Sequence, residues 1–232
     1  MSSLRQRATA LVHGRRVLVS AASAIVVVAL AIWIVAFSPV LGVSSVQVHG
    51  TDVLTTAQVR AAAAIPHGSP LIRLDTAAIA RRVERLAEVK SVRVGTSYPN
   101  TVTIDVVERT PVGYLQDGSS FTLVDGTGAR YRTVQTRPAK LPLFEVPSGP
   151  SGDAAAAAVA GVAADLTAGL LTRVASISAL DPSSITLLLT DHRVVRWGTA
   201  DRSADKARVL PTLLLQPGTT FDVSNPDEVI AR

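Results

Sequence analysis

Ser203 and Lys206 are the residues of this chain whose types and spacing most directly suggest a reaction. A lysine three positions after a serine lies one helical turn away, where its amine can take the hydroxyl proton and leave a nucleophilic oxygen. Penicillin-binding enzymes use this Ser-x-x-Lys spacing. Their companion Lys-Thr-Gly and Ser-Asp-Asn motifs are absent here. The same four residues also fit a helix start, with Ser203 as the cap. Asp125-Gly126-Thr127-Gly128 has glycines that could approach a phosphate. It lacks the strand–loop–helix context and the third glycine of such a loop, and it reads instead as a hairpin turn. Asp105 and Glu108 fall on opposite faces of a predicted strand, so they do not form an acid/base pair. The four histidines, His13, His49, His67 and His192, show no metal-ligand spacing. With no cysteine in the chain, disulfides, thiolate nucleophiles and Cys-ligated metals are excluded. No catalytic residue, cofactor or metal site is expected, and a serine-dependent enzyme built on Ser203 and Lys206 is the alternative.

The elements that would carry these residues begin with a charge asymmetry. The formal charge is +5, but Arg5, Arg7, Arg15 and Arg16 precede any acid, and the first acidic residue is Asp52. Without those four arginines, 19 basic residues face 18 acidic ones. The folded part is nearly neutral, which argues against a nucleic-acid partner. The basic tail, residues 1–16, suits anionic lipid headgroups.

Residues 17–37, from Val17 to Phe37, carry no charge. As a helix rising ~1.5 Å per residue the run reaches about 32 Å, enough for a bilayer core of ~30 Å. Trp33 and Phe37 lie near its outer end, and Pro39 follows. Arginines before the span, and none after it until Arg60, predict a cytoplasmic N-terminus with residues from 38 onward outside. A cleaved signal peptide is the rival. Its apolar region is usually ~7–15 residues, and Pro39 directly follows the best cleavage match, Ala36-Phe37-Ser38. The reading is a single-pass type II membrane protein.

Residues 38–111 form the first predicted domain. Ser44 to Val48 reads as a strand closed by His49-Gly50. Thr55 and Gln58 fit a capping box for a helix running to about Ala64. Pro66, Gly68 and Pro70 interrupt the chain, and Asp75 can cap a second helix. There Ile79, Val83 and Leu86 share one face, with Arg81, Arg82, Glu84 and Arg85 on the solvated side. Val92 and Val94 alternate with Arg93. Val102, Ile104 and Val106 alternate with Thr101, Thr103 and Asp105 after a Tyr98-Pro99-Asn100 turn, which predicts an antiparallel hairpin. The order is βααββ, two helices on one face of a three-stranded sheet.

That order, just beyond a membrane anchor, resembles a POTRA domain. The spacing Leu86-x-x-Val89-x-x-Val92, the Tyr98-Pro99-Asn100 turn and the Val106-x-Glu108-Arg109-x-Pro111 close resemble the FtsQ/DivIB division proteins, as does Val46-x-Val48-x-Gly50. Residues 112–232 are similar to the β domain of that family. Phe121 to Tyr131 reads as a hairpin with a Gly-rich turn, and Leu141-Pro142-Leu143-Phe144 resembles a family element. Ser148 to Asp153 reads as a loop, and Ala154 to Ala168 as a helix weakened by Gly161. Strands are expected over Val174–Leu180, Ile185–Leu189 and Val194–Trp197. A helix follows from about Ala204 to Leu215, capped near Asp201 or Ser203, with Val209, Leu210, Leu213 and Leu214 as its apolar face. Thr219–Val223 is a late strand, and Val229-Ile230 extends its pairing. The fold class is α+β: an N-terminal transmembrane helix, a POTRA domain, then a β-rich domain with flanking helices.

The resemblance implies a non-enzymatic membrane scaffold of the bacterial divisome, located at the septum. It implies FtsB/DivIC-type and FtsL-type coiled-coil partners, and a link from them to the septal wall synthesis machinery. In the family the last strands of the β domain accept a strand from FtsB. By position that edge is Thr220, Phe221, Asp222, Val223, Val229 and Ile230. The same residues serve equally well to close the β core. As an edge, Phe221 or Val223 should accept lysine with weakened partner binding and an intact fold.

Overall fold

The computed structural model describes residues 23–30, 42–228 and 230–231. Residues 23–30 are helical, with Ile25, Val26, Val27, Val28 and Leu30 exposed. The rest of the predicted Val17–Phe37 span lies outside the described residues. Among the described residues no helix is long and apolar enough to cross a membrane. The chain divides into two compact units, with the boundary between Glu108 and Arg109.

The first unit follows the predicted βααββ order. Strand β1 (Ser45–His49) precedes helix α1 (Thr56–Ala63), a short 3-10 turn (Leu71–Arg73) and helix α2 (Thr76–Val83). Strands β2 (Val89–Ser97) and β3 (Thr101–Glu108) complete it. The α1 capping box forms as its sequence dictates: Thr55 Oγ1 accepts from Gln58 N, and Gln58 Oε1 accepts from Thr55 N at 2.8 Å. Asp75 caps α2 by accepting from Ala78 N at 2.8 Å. β3 is central, antiparallel to β2 and parallel to β1. Its period-two residues Val102, Ile104 and Val106 meet Val59, Ala63, Ile79 and Val83 from the helices in one buried cluster. Arg82 is not purely solvated: its guanidinium donates to the Ala63 carbonyl that ends α1, at 2.6 and 2.9 Å.

In the second unit, nine strands among the described residues make one sheet. In chain order they are β4 (Pro111–Asp117), β5 (Ser120–Asp125), β6 (Arg130–Val134), β7 (Leu143–Glu145), β8 (Val174–Ser178), β9 (Ile185–Leu189), β10 (Val194–Gly198), β11 (Thr220–Asp222) and β12 (Ile230–Ala231). Across the sheet the order is β12-β11-β10-β9-β8-β7-β4-β5-β6. The parallel pairs β7/β8 and β10/β11 require long crossovers, and helices supply them. Helices α3 (Pro150–Asp165) and α4 (Ala168–Leu171) make the first, and α5 (Ser203–Leu213) the second. Ala155, Ala156, Ala160 and Ala163 are all buried, so small side chains let α3 lie close to the sheet.

Four expectations need correction. Strand β4 was not foreseen. A bulge between Pro111 and Gly113 breaks its alternation, and a Cβ at Gly113 would sit 2.2 Å from the Phe144 ring. The predicted loop over Ser148–Asp153 is helical from Pro150, because a proline at the first helical position needs no N–H partner there. The predicted helix to Ala168 stops at Asp165. Leu166 turns extended, and Thr167 caps α4 by accepting from Leu170 N at 3.3 Å. Finally, Ser203 is the first residue of α5 and not its cap. That position falls to Arg202, which adopts a left-handed conformation (φ 54°).

Candidate functional site

The Ser-x-x-Lys pair lies at the start of α5, beneath the end of β10. Both residues are buried. Ser203 Oγ accepts from the Trp197 indole at 3.0 Å and donates to Ala200 O at 2.8 Å. Lys206 Nζ donates to the carbonyls of Trp197 (3.0 Å) and Thr199 (2.8 Å). Burial lowers the lysine pKa. These groups are spent on fastening α5 to the 197–200 corner, and no support remains for a serine-dependent enzyme. Both polar side chains sit inside because each finds the partners that burial demands.

The other chemical candidates also resolve as structure. The Asp125 carboxylate accepts from Thr127 N (2.9 Å), Thr127 Oγ1 (2.6 Å) and Ala129 N (3.1 Å), and it pairs with Arg109. Burial pushes this carboxyl up, but the hydrogen bonds from Thr127, Arg109 and Ala129 outweigh it and hold the pKa below the ordinary value. Gly126 and Gly128 therefore belong to a hairpin turn organised by Asp125. Glu108 accepts from the N–H groups of Asp52 (3.1 Å), Val53 (2.9 Å) and Leu54 (2.8 Å). Desolvation raises its pKa, and these three backbone bonds more than offset it, for a net lowering. In the Glu108-Arg109 pair, the acid thus fixes a loop of the first unit and the base fixes a turn of the second. His49 meets Asp105 at 3.2 Å on an exposed face. His67 and His192 are exposed, and His13 lies outside the described residues. Among the described residues no cluster could hold a metal ion.

The predicted edge residues gather at one end of the large sheet. β11 is not the outermost strand: it runs parallel to β10 on one side and antiparallel to β12 on the other. Phe221 and Val223 point into the core with no exposed surface, beside Val195 and Trp197. The Arg193 guanidinium lies 5.4 Å from the centre of the Phe221 ring. Lysine at Phe221 or Val223 would therefore attack the fold, contrary to the sequence expectation. Thr220 and Asp222 are half-buried on the opposite face. There Arg196, Asp222 and Ile230 stand in register across three strands and line a recess of about 310 Å³ with Thr220. Ile230 is 47% exposed on the outermost strand. Val229 lies outside the described residues. Arg202 grips the turn before β12, donating to both oxygens of Asp227 at 2.8 and 3.1 Å. Sequence reasoning missed this tether, since 25 residues separate the two partners.

Taken together, the molecule is a βααββ unit followed by a large mixed sheet, with Ser203, Lys206, Asp125 and Glu108 committed to structure and a short strand at the sheet's end. Comparisons with known proteins sharpen that class. A family model described as POTRA domain, FtsQ-type, matches residues 41–109. Another, cell division protein FtsQ/DivIB, C-terminal, matches residues 113–225. The chain is 39% identical over 191 residues to cell division protein FtsQ of Mycobacteroides abscessus, covering 82% of this chain and 61% of that protein. It is 39% identical over 225 residues to FtsQ of Streptomyces venezuelae, covering 92% and 82%. Over 198 residues it is 39% identical to FtsQ of Streptomyces griseus, covering 80% and 94%. The chain thus spans about six tenths of the length of its mycobacterial relatives. A solved domain of DivIB from Geobacillus stearothermophilus is 23% identical, with a TM-score of 0.37, covering 46% of this chain and 91% of that one. The chain belongs to the FtsQ/DivIB family of cell division proteins, a family of non-enzymatic scaffolds.

Proposed function

We propose that this chain is a bitopic scaffold of the divisome. Residues 17–37 anchor it, residues 1–16 face the cytoplasm, and residues from 38 onward lie outside at the septum. The positive-inside asymmetry and the charge-free run support that topology. Its partners are coiled-coil division proteins of the FtsB/DivIC and FtsL types, which it links to septal wall synthesis. The contact is strand addition at the end of the large sheet.

One observation carries this reading. β12 is the outermost strand there, with β11 on its inner side and no strand beyond it among the described residues. An exposed strand edge offers backbone donors and acceptors to an incoming chain, and alternate side chains then set selectivity. Ile230, with Asp222 and Arg196 behind it, supplies an apolar contact flanked by one charge of each sign. Phe221 and Val223 support the edge from below. The test is Ile230→Lys in the full chain. A lysine on an edge strand blunts pairing without entering the core. Capture of the FtsB/DivIC-type partner should fall sharply while thermal unfolding stays unchanged. Unchanged capture would reject β12 as the docking edge.

A further inference from the structure

The first unit has two chemically different ends. The chain enters at Gly42 and Val43, which pair with the loop over residues 66–70. Val43 N donates to Ser69 O at 2.9 Å, Gly68 N donates to Val43 O at 2.8 Å, and Gly42 bridges Pro70. A Cβ on Gly42 would lie 2.6 Å from Gly68 O, so this approach requires glycine. Ser44 N and Ser45 N both donate to Asn100 O, at 2.9 and 3.2 Å. Since β1 and β3 are parallel, both start at this end. The entry, the 65–73 loop and the 98–100 turn therefore converge.

Ile72 and Tyr98 stand on this end, each 64% exposed. The segments 42–45, 65–73 and 95–101 contain no acid, while Arg73 carries a positive charge. The acid nearest in sequence, Asp75, uses its carboxylate to cap α2. The opposite end, where β1 and α2 finish, carries the acids Asp52, Glu84, Glu88 and Glu108, together with Arg85 and Lys90. Five chain steps separate Phe37 from Gly42. At ~3.6 Å each they reach at most about 18 Å.

We propose that the entry end of this unit rests on the bilayer surface, with Ile72 and Tyr98 seated among the lipid headgroups. The inference depends on the anchor reading of residues 17–37. The short tether holds this end near the membrane. A tyrosine ring with its hydroxyl in water suits the interface, the isoleucine adds apolar area, and the absence of acids avoids repulsion from anionic lipid. The acid-bearing end then faces away from the bilayer.

The chain has no cysteine, so single labelling sites can be introduced cleanly. The full chain in phosphatidylcholine/phosphatidylglycerol vesicles would carry a nitroxide after Val27→Cys, Asp52→Cys, Ile72→Cys or Tyr98→Cys, all at exposed positions. Power saturation compares collisions with oxygen, which enters lipid, and with a nickel chelate, which stays in water. Labels at 72 and 98 should shift toward oxygen relative to the label at 52, which should remain water-like. A lipid-like label at 27 with water-like labels at 72 and 98 overturns this inference alone. Shielding of 72 and 98 from both reagents marks a protein contact and also overturns it. A water-like label at 27 removes the anchor reading, and this inference with it.

Discussion

The sheets of the two units end differently. In the first unit the outer strand β2 has nine residues and pairs along nearly all of them with the eight-residue β3. In the second unit the sheet ends in β12, whose two described residues pair only with Phe221 and Asp222. Each ladder hydrogen bond contributes a net ~0.5–1.5 kcal/mol, so the long β2–β3 hairpin opens rarely. The turn before β12 is held from the side by Arg202 and Asp227. Beneath it, Phe221 and Val223 are as buried as any residue of the core. At this end the large sheet therefore sets the exposed Ile230 above a fully buried floor of Phe221 and Val223.

Substitutions can break or sharpen this contrast. Phe221→Lys should have the largest effect. It places a charge in the core and should cost about 4 kcal/mol or more, abolishing the thermal transition of the second unit. Survival of hydrogen-exchange protection in β2 and β3 would show that the first unit holds independently. Asp125→Ala should cost about 3 kcal/mol in the second unit, because Arg109 and the turn N–H groups lose their acceptor. Urea unfolding of full chains would measure it.

Glu108→Gln should cost about 1–2 kcal/mol in the first unit near neutral pH. The sign with pH follows from the lowered folded pKa. The carboxylate's contribution is complete above its unfolded value of about 4.3 and is lost as pH falls through the lower folded value. The gap between native and variant chains should therefore close in acid, as read by urea melts at about pH 7 and pH 2. Arg202→Ala should have the smallest effect on global unfolding, since its partners are exposed. It should nonetheless speed amide exchange at Ile230 and Ala231 relative to β2.

Local signals in the chain were readable and distant ones were not. Thr55 with Gln58, and Asp75 with Ala78, are caps between neighbours, and both form. The alternation of Val102, Ile104 and Val106 marks β3 because one face of that strand is buried. Strand β4 was hidden because Gly113 answers to the Phe144 ring, 31 positions away, and not to strand propensity. The late strand near Phe221 was legible from its composition. That Phe221 faces the core, and that β12 takes the rim, depends on pairing across the sheet, which periodicity alone does not encode. Ser203 and Lys206 likewise match a catalytic spacing, and only their burial against Trp197 reveals a fastening.

The most direct test of the account is photocrosslinking in living cells from position 230 of the full chain, with Leu180, exposed at a turn beyond β8, as the control. Recovery of a small bitopic coiled-coil division protein from position 230 and not from 180 is the predicted result. The same protein recovered from 180 alone, or from neither position, would contradict strand addition at β12.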